Sequence, residues 1–136
     1  SELSPASKLR AVIEQLINYA TREPQAWQLR VLAREILAPT SHLQVLVQDE
    51  ALPKMTLLRR MLSEITEIPG EDPALTRCLL CVIAPCLMLL VGGRTFPGPL
   101  QEIFQMPSQA IANHLFHFAL GGLESIKDEY KRNAKL

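Results

Sequence analysis

The first part of the chain carries apolar residues at the spacing of a helix with one buried face. Ser4 followed by Pro5 has the order of an N-cap and a first helical residue, and the pattern continues to Thr21. Positions i, i+3, i+4, i+7 and i+8 of this segment are Leu9, Val12, Ile13, Leu16 and Ile17. The pattern predicts a first helix from about Pro5 to Thr21.

Prolines divide the pattern that follows into two further helices. Pro24 opens the second helix, which Pro39 stops. Ser41 has the position of a capping residue for the third, whose apolar stripe resumes in phase after Pro53. A proline inside a helix removes one backbone hydrogen bond and crowds the preceding turn. We therefore expect one long helix, kinked at Pro53, from about Ser41 to Glu67.

The run from Arg77 to Val91 has no charged or polar side chain after its first residue, apart from three thiols. A helix of this composition needs burial on every side. It is shorter than the roughly 20 apolar residues of a membrane span, and it contains Pro85, which favours a buried core helix. The bend at Pro85 either opens room for a ligand or fits a curved core. Gly92 and Gly93 are expected to end this helix.

A second apolar stretch, from Ala110 to Leu123, belongs to a last helix that should run from Pro107 or Ser108 to about Lys131. Two such helices in a chain of 136 residues provide more apolar surface than one small domain covers. No period-two alternation indicates a sheet. The pattern predicts an all-α fold, with residues 1–136 forming a single, self-associating helical domain.

Charge and cysteine content narrow the possible functions. Lys plus Arg and Asp plus Glu each number 14, so the formal net charge is zero and gives no footprint for DNA or an anionic membrane. Three cysteines within one predicted helix do not form a secreted disulfide framework, which favours the cytoplasm. The first residue is Ser, and no targeting signal opens the sequence. This beginning suggests a trimmed or excised chain.

Several segments resemble one family of transcriptional regulators. The last helix, at 111–123, is similar to the closing signature of the C-terminal domain of TetR-type regulators named after CerR or CecR. The matching positions are His114, Phe118, Leu120, Gly122 and Leu123. The segment Leu32–Thr40, the mid-helix Pro53 and the pair Asp72-Pro73 also resemble that domain and occur in the same order.

The resemblance implies a TetR C-terminal-like domain of about five long helices, whose last two pair with those of a second subunit in a four-helix bundle. It also implies an effector-binding role and an N-terminal helix-turn-helix domain, which is absent from this chain. Any DNA contact would belong to that domain. Partners would be a second copy and a small apolar effector, with no membrane. The expected interface residues are Cys86, Leu89, His114, His117, Phe118, Gly121 and Gly122.

Methionine and aromatic side chains can form an adaptable apolar pocket, with plain core packing as the alternative. The candidate ligand-pocket residues are Trp27, Arg30, Met55, Met61, Met88 and Phe116. Arg30, Arg34 and Glu35 are interpreted as surface ion-pairing residues, or else as contacts to a polar group of a ligand.

The cysteines and histidines offer little chemistry. Cys78 and Cys81 have redox-motif spacing, but they lie among aliphatic residues past the first helical turn, so we interpret the thiols as small buried hydrophobes. His114 and His117 could ligate a metal, yet no further ligand accompanies them. Neither a phosphate-binding loop nor a catalytic constellation is present, so we expect no enzyme, no metal and no cofactor.

The leading hypothesis is therefore the small-molecule-sensing and dimerisation domain of a TetR-like regulator, acting as a repressor in the intact protein. The alternative is a stand-alone helical module that binds a protein rather than a small molecule. A thiol oxidoreductase, which would need an exposed Cys78 of low pKa, is a more distant alternative.

Overall fold

The computed structural model describes residues 3–22, 27–40 and 42–134, and every regular element in these ranges is a helix. The α-helices are α1 (Pro5–Thr21), α2 (Trp27–Leu37), α3 (Gln44–Leu46), α4 (Leu52–Thr66), α5 (Ala74–Gly92) and α6 (Ser108–Ala134). A π-helical segment, Val47–Ala51, joins α3 to α4, and two 3-10 segments, Gly93–Thr95 and Gly98–Gln105, lie between α5 and α6. The all-α prediction is confirmed.

Helix α1 begins where the sequence predicts and lies at the centre of the fold. The Ser4 side chain accepts the backbone N–H of Ser7 at 3.2 Å, which caps the helix. Leu9, Ile13 and Ile17 are almost completely buried, because α1 contacts α4, α5 and α6. The apolar stripe of α1 is therefore the part of the core that the other helices share.

The predicted long third helix is continuous from Gln44 to Thr66, with a π-helical segment where we expected a kink. The Leu52 N–H donates to the Val47 carbonyl, five residues back, whereas α-helical bonds reach back four. Pro53 has no N–H to donate and its ring crowds the carbonyl of Asp49, so a widened turn ahead of Pro53 relieves the conflict. The predicted starts at Pro24 and Ser41 lie outside the described residues.

The loop between α4 and α5 is fixed by side chains from both sides. The Ala74 N–H donates to Asp72 Oδ1 at 2.9 Å, and the Tyr130 hydroxyl of α6 donates to Asp72 Oδ2 at 2.8 Å. These two bonds hold the pKa of the Asp72 carboxyl below its usual value. The Arg59 guanidinium donates to the carbonyl oxygens of Gly70 and Asp72. The loop therefore fixes the direction in which α5 begins relative to α4.

Helix α5 ends at Gly92, as predicted, and Gly93 follows with φ of 53°. A Cβ added to Gly92 would overlap the ring of Phe96, so any larger residue here would require that ring to move. A 3-10 helix, Gly98–Gln105, lies in the connection to α6, and α6 extends slightly beyond the predicted Lys131.

Within the described residues, helix α5 is not covered on every side by its own subunit. The helix has 19 residues and a mean hydropathy of 2.3, so its length and composition alone would allow it to cross a membrane. It contacts α1, α2, α4 and α6. In the apolar stretch of α5 from which the mean hydropathy is calculated, 44% is buried inside the subunit. Leu80 is nevertheless 63% exposed and Met88 46% exposed. One face of α5 is therefore left uncovered by the part of the subunit that the structure describes.

Candidate functional site

Helices α5 and α6 contact each other, and each has an exposed face turned away from the core. On α6, residues at i, i+3, i+4, i+7 and i+8 from His114 are exposed, including Phe118 with 79% of its side chain accessible. We define the α5–α6 surface as Leu80, Cys81, Ala84, Met88, His114, His117, Phe118, Gly121 and Gly122. Three of these residues, Leu80, Met88 and Phe118, are large apolar side chains that are exposed, and exposed apolar surface of this kind is characteristic of an interaction surface.

None of the described residues of the subunit requires Gly121 and Gly122 to be glycines. A Cβ added at either position would meet no heavy atom within 4 Å. Each glycine in a helix interior costs about 1 kcal/mol relative to alanine. A packing reason for these two residues must therefore come from a group outside the subunit that approaches the α6 backbone.

Five of the seven expected interface residues lie on the α5–α6 surface, and two do not. His114, His117, Phe118, Gly121 and Gly122 are exposed on α6. Cys86 is 1% exposed and Leu89 6% exposed, and both belong to the core cluster of the subunit. Because α5 is apolar all round, its sequence pattern has no polar face to indicate which side is outward. The outward residues of α5 are Leu80, Cys81, Ala84 and Met88.

The three thiols differ in their surroundings. Cys78 and Cys86 are buried, as expected, and burial raises the pKa of the Cys78 thiol and raises that of Cys86 to about 11. Cys81 is exposed, so its interpretation as a buried hydrophobe is wrong for the single subunit. Within the described residues, no three His, Cys, Asp or Glu side chains converge on a point that could hold a metal ion.

The six residues proposed for a ligand pocket do not surround one cavity. Trp27 is 62% exposed, and Met88 lies on the α5–α6 surface. Phe116 is buried beneath the Arg10 guanidinium, which lies 4.1 Å from the ring centroid. The Arg30 guanidinium donates to the backbone carbonyl of Tyr19 at 3.1 Å.

Of the remaining two, Met61 is partly buried against the core, and Met55 lines a cleft between α2 and the long third helix. The cleft has a volume of about 210 Å³. We call it the α2–α4 cleft, and its lining residues are Glu35, Ile36, Pro39, Gln44, Val47, Gln48 and Met55.

Glu35 is a polar residue of the cleft whose interpretation as a surface ion-pairing residue is wrong, while the alternative, a contact to a polar group of a ligand, stays a prediction. It is 5% exposed rather than on the surface. Its carboxylate accepts the backbone N–H of Thr40, and the Thr40 hydroxyl donates to its two oxygens at 3.0 and 3.1 Å. The signal that could have located it is its position next to Ile36 and two residues after Ala33, within the buried stripe of α2.

Comparison with known proteins identifies one family. The family whose sequence model matches is described as "HTH-type transcriptional dual regulator CecR, C-terminal domain", and the match spans residues 5–123. No curated protein matches the chain. The matched range begins with α1 and includes the α2–α4 cleft, α5 and the α6 residues of the α5–α6 surface.

Proposed function

Because the chain belongs to the family of CecR C-terminal domains, we propose that it is the small-molecule-sensing and dimerisation domain of a TetR-like transcriptional regulator. The observation that carries the dimer is the α5–α6 surface. Phe118 is 79% exposed there, and the two glycines leave room for another helix. Burying an exposed aromatic side chain against a second copy removes apolar surface from contact with water, which favours association.

A two-fold axis would place α5 and α6 of one subunit against α5 and α6 of its partner in a four-helix bundle. In such an interface the same surface is used twice, so each apolar residue covers apolar surface of the other copy. The partner helix would pass close to Gly121 and Gly122, where no side chain keeps the backbones apart. A second copy therefore suits both the composition and the shape of this surface.

Ligand binding would regulate the dimer by shifting its conformational equilibrium. A ligand that binds one arrangement of the subunits more tightly than another favours that arrangement by the difference in affinity. In the intact regulator, DNA would be bound by an N-terminal domain outside this chain, and the altered dimer would change the spacing of the two DNA-reading elements. We propose repression released by ligand, in the cytoplasm and without enzymatic activity.

Light scattering of the purified chain tests this proposal. The expected mass is twice the 15.2 kDa of one chain. Phe118→Asp would place a carboxylate in the interface and is expected to yield the mass of one chain, because an unpaired buried charge opposes association. Leu57→Asp is the matched control, since Leu57 is 60% exposed on α4, outside the α5–α6 surface.

A wild-type monomer at high protein concentration would contradict the dimer. A dimer that both variants leave intact would place the interface elsewhere. A monomeric chain that binds another protein through Phe118 would favour the alternative of a helical protein-interaction module.

A further inference from the structure

We propose that the α2–α4 cleft binds a small hydrophobic cation, an ammonium group carried on an apolar body, with Glu35 as its counter-ion. The proposal rests on the sensing function proposed above and names the chemical class of the effector. It follows from the buried carboxylate in the cleft, the residues that line the cleft, and the helical segment that forms one of its walls.

A buried carboxylate without a cation is costly, because removal from water disfavours the charge unless a positive group replaces the lost hydration. Glu35 is 5% exposed, and the partners of its carboxylate are the amide and hydroxyl of Thr40, which are both neutral. Within the described ranges, the ion pairs involve Glu67 with Lys127 and Lys131, and none reaches Glu35. A bound cation would supply the positively charged partner that the Glu35 carboxylate lacks.

The position of Glu35 adds to the negative potential of the cleft. Glu35 lies in the last turn of α2, which ends at Leu37, where the free carbonyl groups of a helix carry partial negative charge. Among the described residues that line the cleft, none is basic. The amide oxygens of Gln44 and Gln48 are further acceptors for ammonium hydrogens. The polar part of the cleft therefore favours a cation and disfavours an anion.

The remaining walls suit an apolar body of limited size. Ile36, Pro39, Val47 and Met55 line the cleft, and methionine adapts its shape to different ligands. The volume of about 210 Å³ is somewhat larger than a cavity of about 150 Å³ that holds benzene. One ring with a short amine-bearing chain fits this space.

The wall formed by Val47 and Gln48 belongs to the π-helical segment. Such segments are rare and often occur at functional sites. Pro53 explains why a widened turn is needed, and the segment places two cleft residues opposite α2 without interrupting the helix. The segment therefore shapes one wall of the cleft.

The test compares three probes of similar shape and different charge on the 136-residue chain. The probes are 2-phenylethylammonium, neutral 2-phenylethanol and anionic 3-phenylpropanoate, and binding is followed by NMR of ¹³C-labelled methionine methyl groups. The Met55 methyl signal is expected to shift with the ammonium probe at about tenfold lower concentration than with the alcohol. The carboxylate probe is expected not to shift it.

Glu35→Gln removes the charge and keeps an acceptor for Thr40, so the affinity for the ammonium probe should fall to that for the alcohol. Glu64→Gln, at an exposed position of α4, is the matched control and should bind like the wild type. Met55→Lys supplies a tethered ammonium in the cleft that Glu35 also lines, and it should abolish binding of the ammonium probe while Glu35 is retained. Because this variant lacks the Met55 methyl group, its binding is compared with that of the wild type by isothermal titration calorimetry. This second variant decides the question if Glu35→Gln fails to fold, which circular dichroism would reveal.

The inference is overturned if the alcohol or the carboxylate binds as tightly as the ammonium probe. It is also overturned if the ammonium probe causes no Met55 shift up to its solubility limit, or if Glu35→Gln still binds the ammonium probe more tightly than the alcohol. Light scattering of the same samples separates this inference from the proposed function. A dimer without ammonium preference overturns only the cation site, whereas a monomer that binds the ammonium probe overturns only dimerisation.

Discussion

The two faces of α5 have similar compositions and opposite surroundings. The inner face, with Leu75 and Leu90, is almost fully buried against the other helices of the subunit. The outer face, with Leu80 and Met88, is 63% and 46% exposed at these residues. The difference teaches that the apolar composition of α5 determines how much of its surface must be covered. The packing of α5 against the other helices determines which part of that surface the subunit itself covers.

Truncation of one leucine on each face gives the largest contrast. Leu75→Ala should lower the free energy of unfolding by about 2–5 kcal/mol, because it leaves a cavity in a packed core. Leu80→Ala should lower the free energy of unfolding of a single subunit by less than about 0.5 kcal/mol, because the exposed side chain makes few packing contacts there. The measurement is chemical denaturation at several protein concentrations.

The concentration dependence distinguishes the roles of the two leucines. The loss caused by Leu75→Ala should be nearly constant with concentration, whereas that of Leu80→Ala should grow where the dimer dominates. If Leu80→Ala costs as much as Leu75→Ala in a monomeric Phe118→Asp background, the outer face is packed within the subunit and the comparison fails.

Two glycine substitutions extend the comparison to smaller effects. Gly92→Ala should destabilise the chain by about 1–3 kcal/mol, since the new methyl group would overlap the Phe96 ring. Gly121→Ala meets nothing in the subunit, so in the monomeric Phe118→Asp background it should stabilise the helix by up to about 1 kcal/mol. Thermal unfolding of the paired variants measures both effects.

In the otherwise wild-type chain, Gly121→Ala should weaken the dimer instead, because a methyl group would hold the partner helix away. A change of sign between the two backgrounds is the expected result. Stabilisation in both backgrounds would show that no helix backbone approaches Gly121.

Thiol labelling provides the mildest probe, because it requires no substitution in either face. With a maleimide reagent near neutral pH, Cys81 should react first in the monomer, since it is exposed there, whereas Cys86 is buried with a pKa of about 11. Mass spectrometry of the labelled peptides gives the rates. In the dimer Cys81 should be protected, and Phe118→Asp should restore its reactivity. Equal rates in both forms would place Cys81 outside the interface.

Local signals predicted much of the fold. The Ser4-Pro5 cap gave the start of α1, and the glycines after Val91 gave the end of α5, because caps and breakers act within a few residues. The family resemblance drawn from 111–123 and Leu32–Thr40 is confirmed by the match over residues 5–123. It was specific because several short motifs occurred in one order.

The candidate sites were less predictable, because each depends on elements distant in sequence. A helix that is apolar all round has no polar face to mark its outward side. The sequence therefore could not distinguish Cys86 and Leu89 from Leu80 and Met88 as outward residues. The cleft unites the end of α2 with the π-helical segment and Met55, a juxtaposition that no single stretch of sequence encodes. The six candidate pocket residues therefore included Met55 but not Glu35, which the sequence suggested only as the alternative to a surface ion-pairing residue.

The sequence by itself determined that the chain is helical, where most helices begin and end, and that its apolar surface exceeds the needs of a small core. Capping, proline placement and helical periodicity are local interactions, so they can be read along the chain. Only the tertiary structure decided which face of α5 is left uncovered and which carboxylate is buried. Those outcomes depend on how the helices dock, because burial is a property of all the elements that surround a residue.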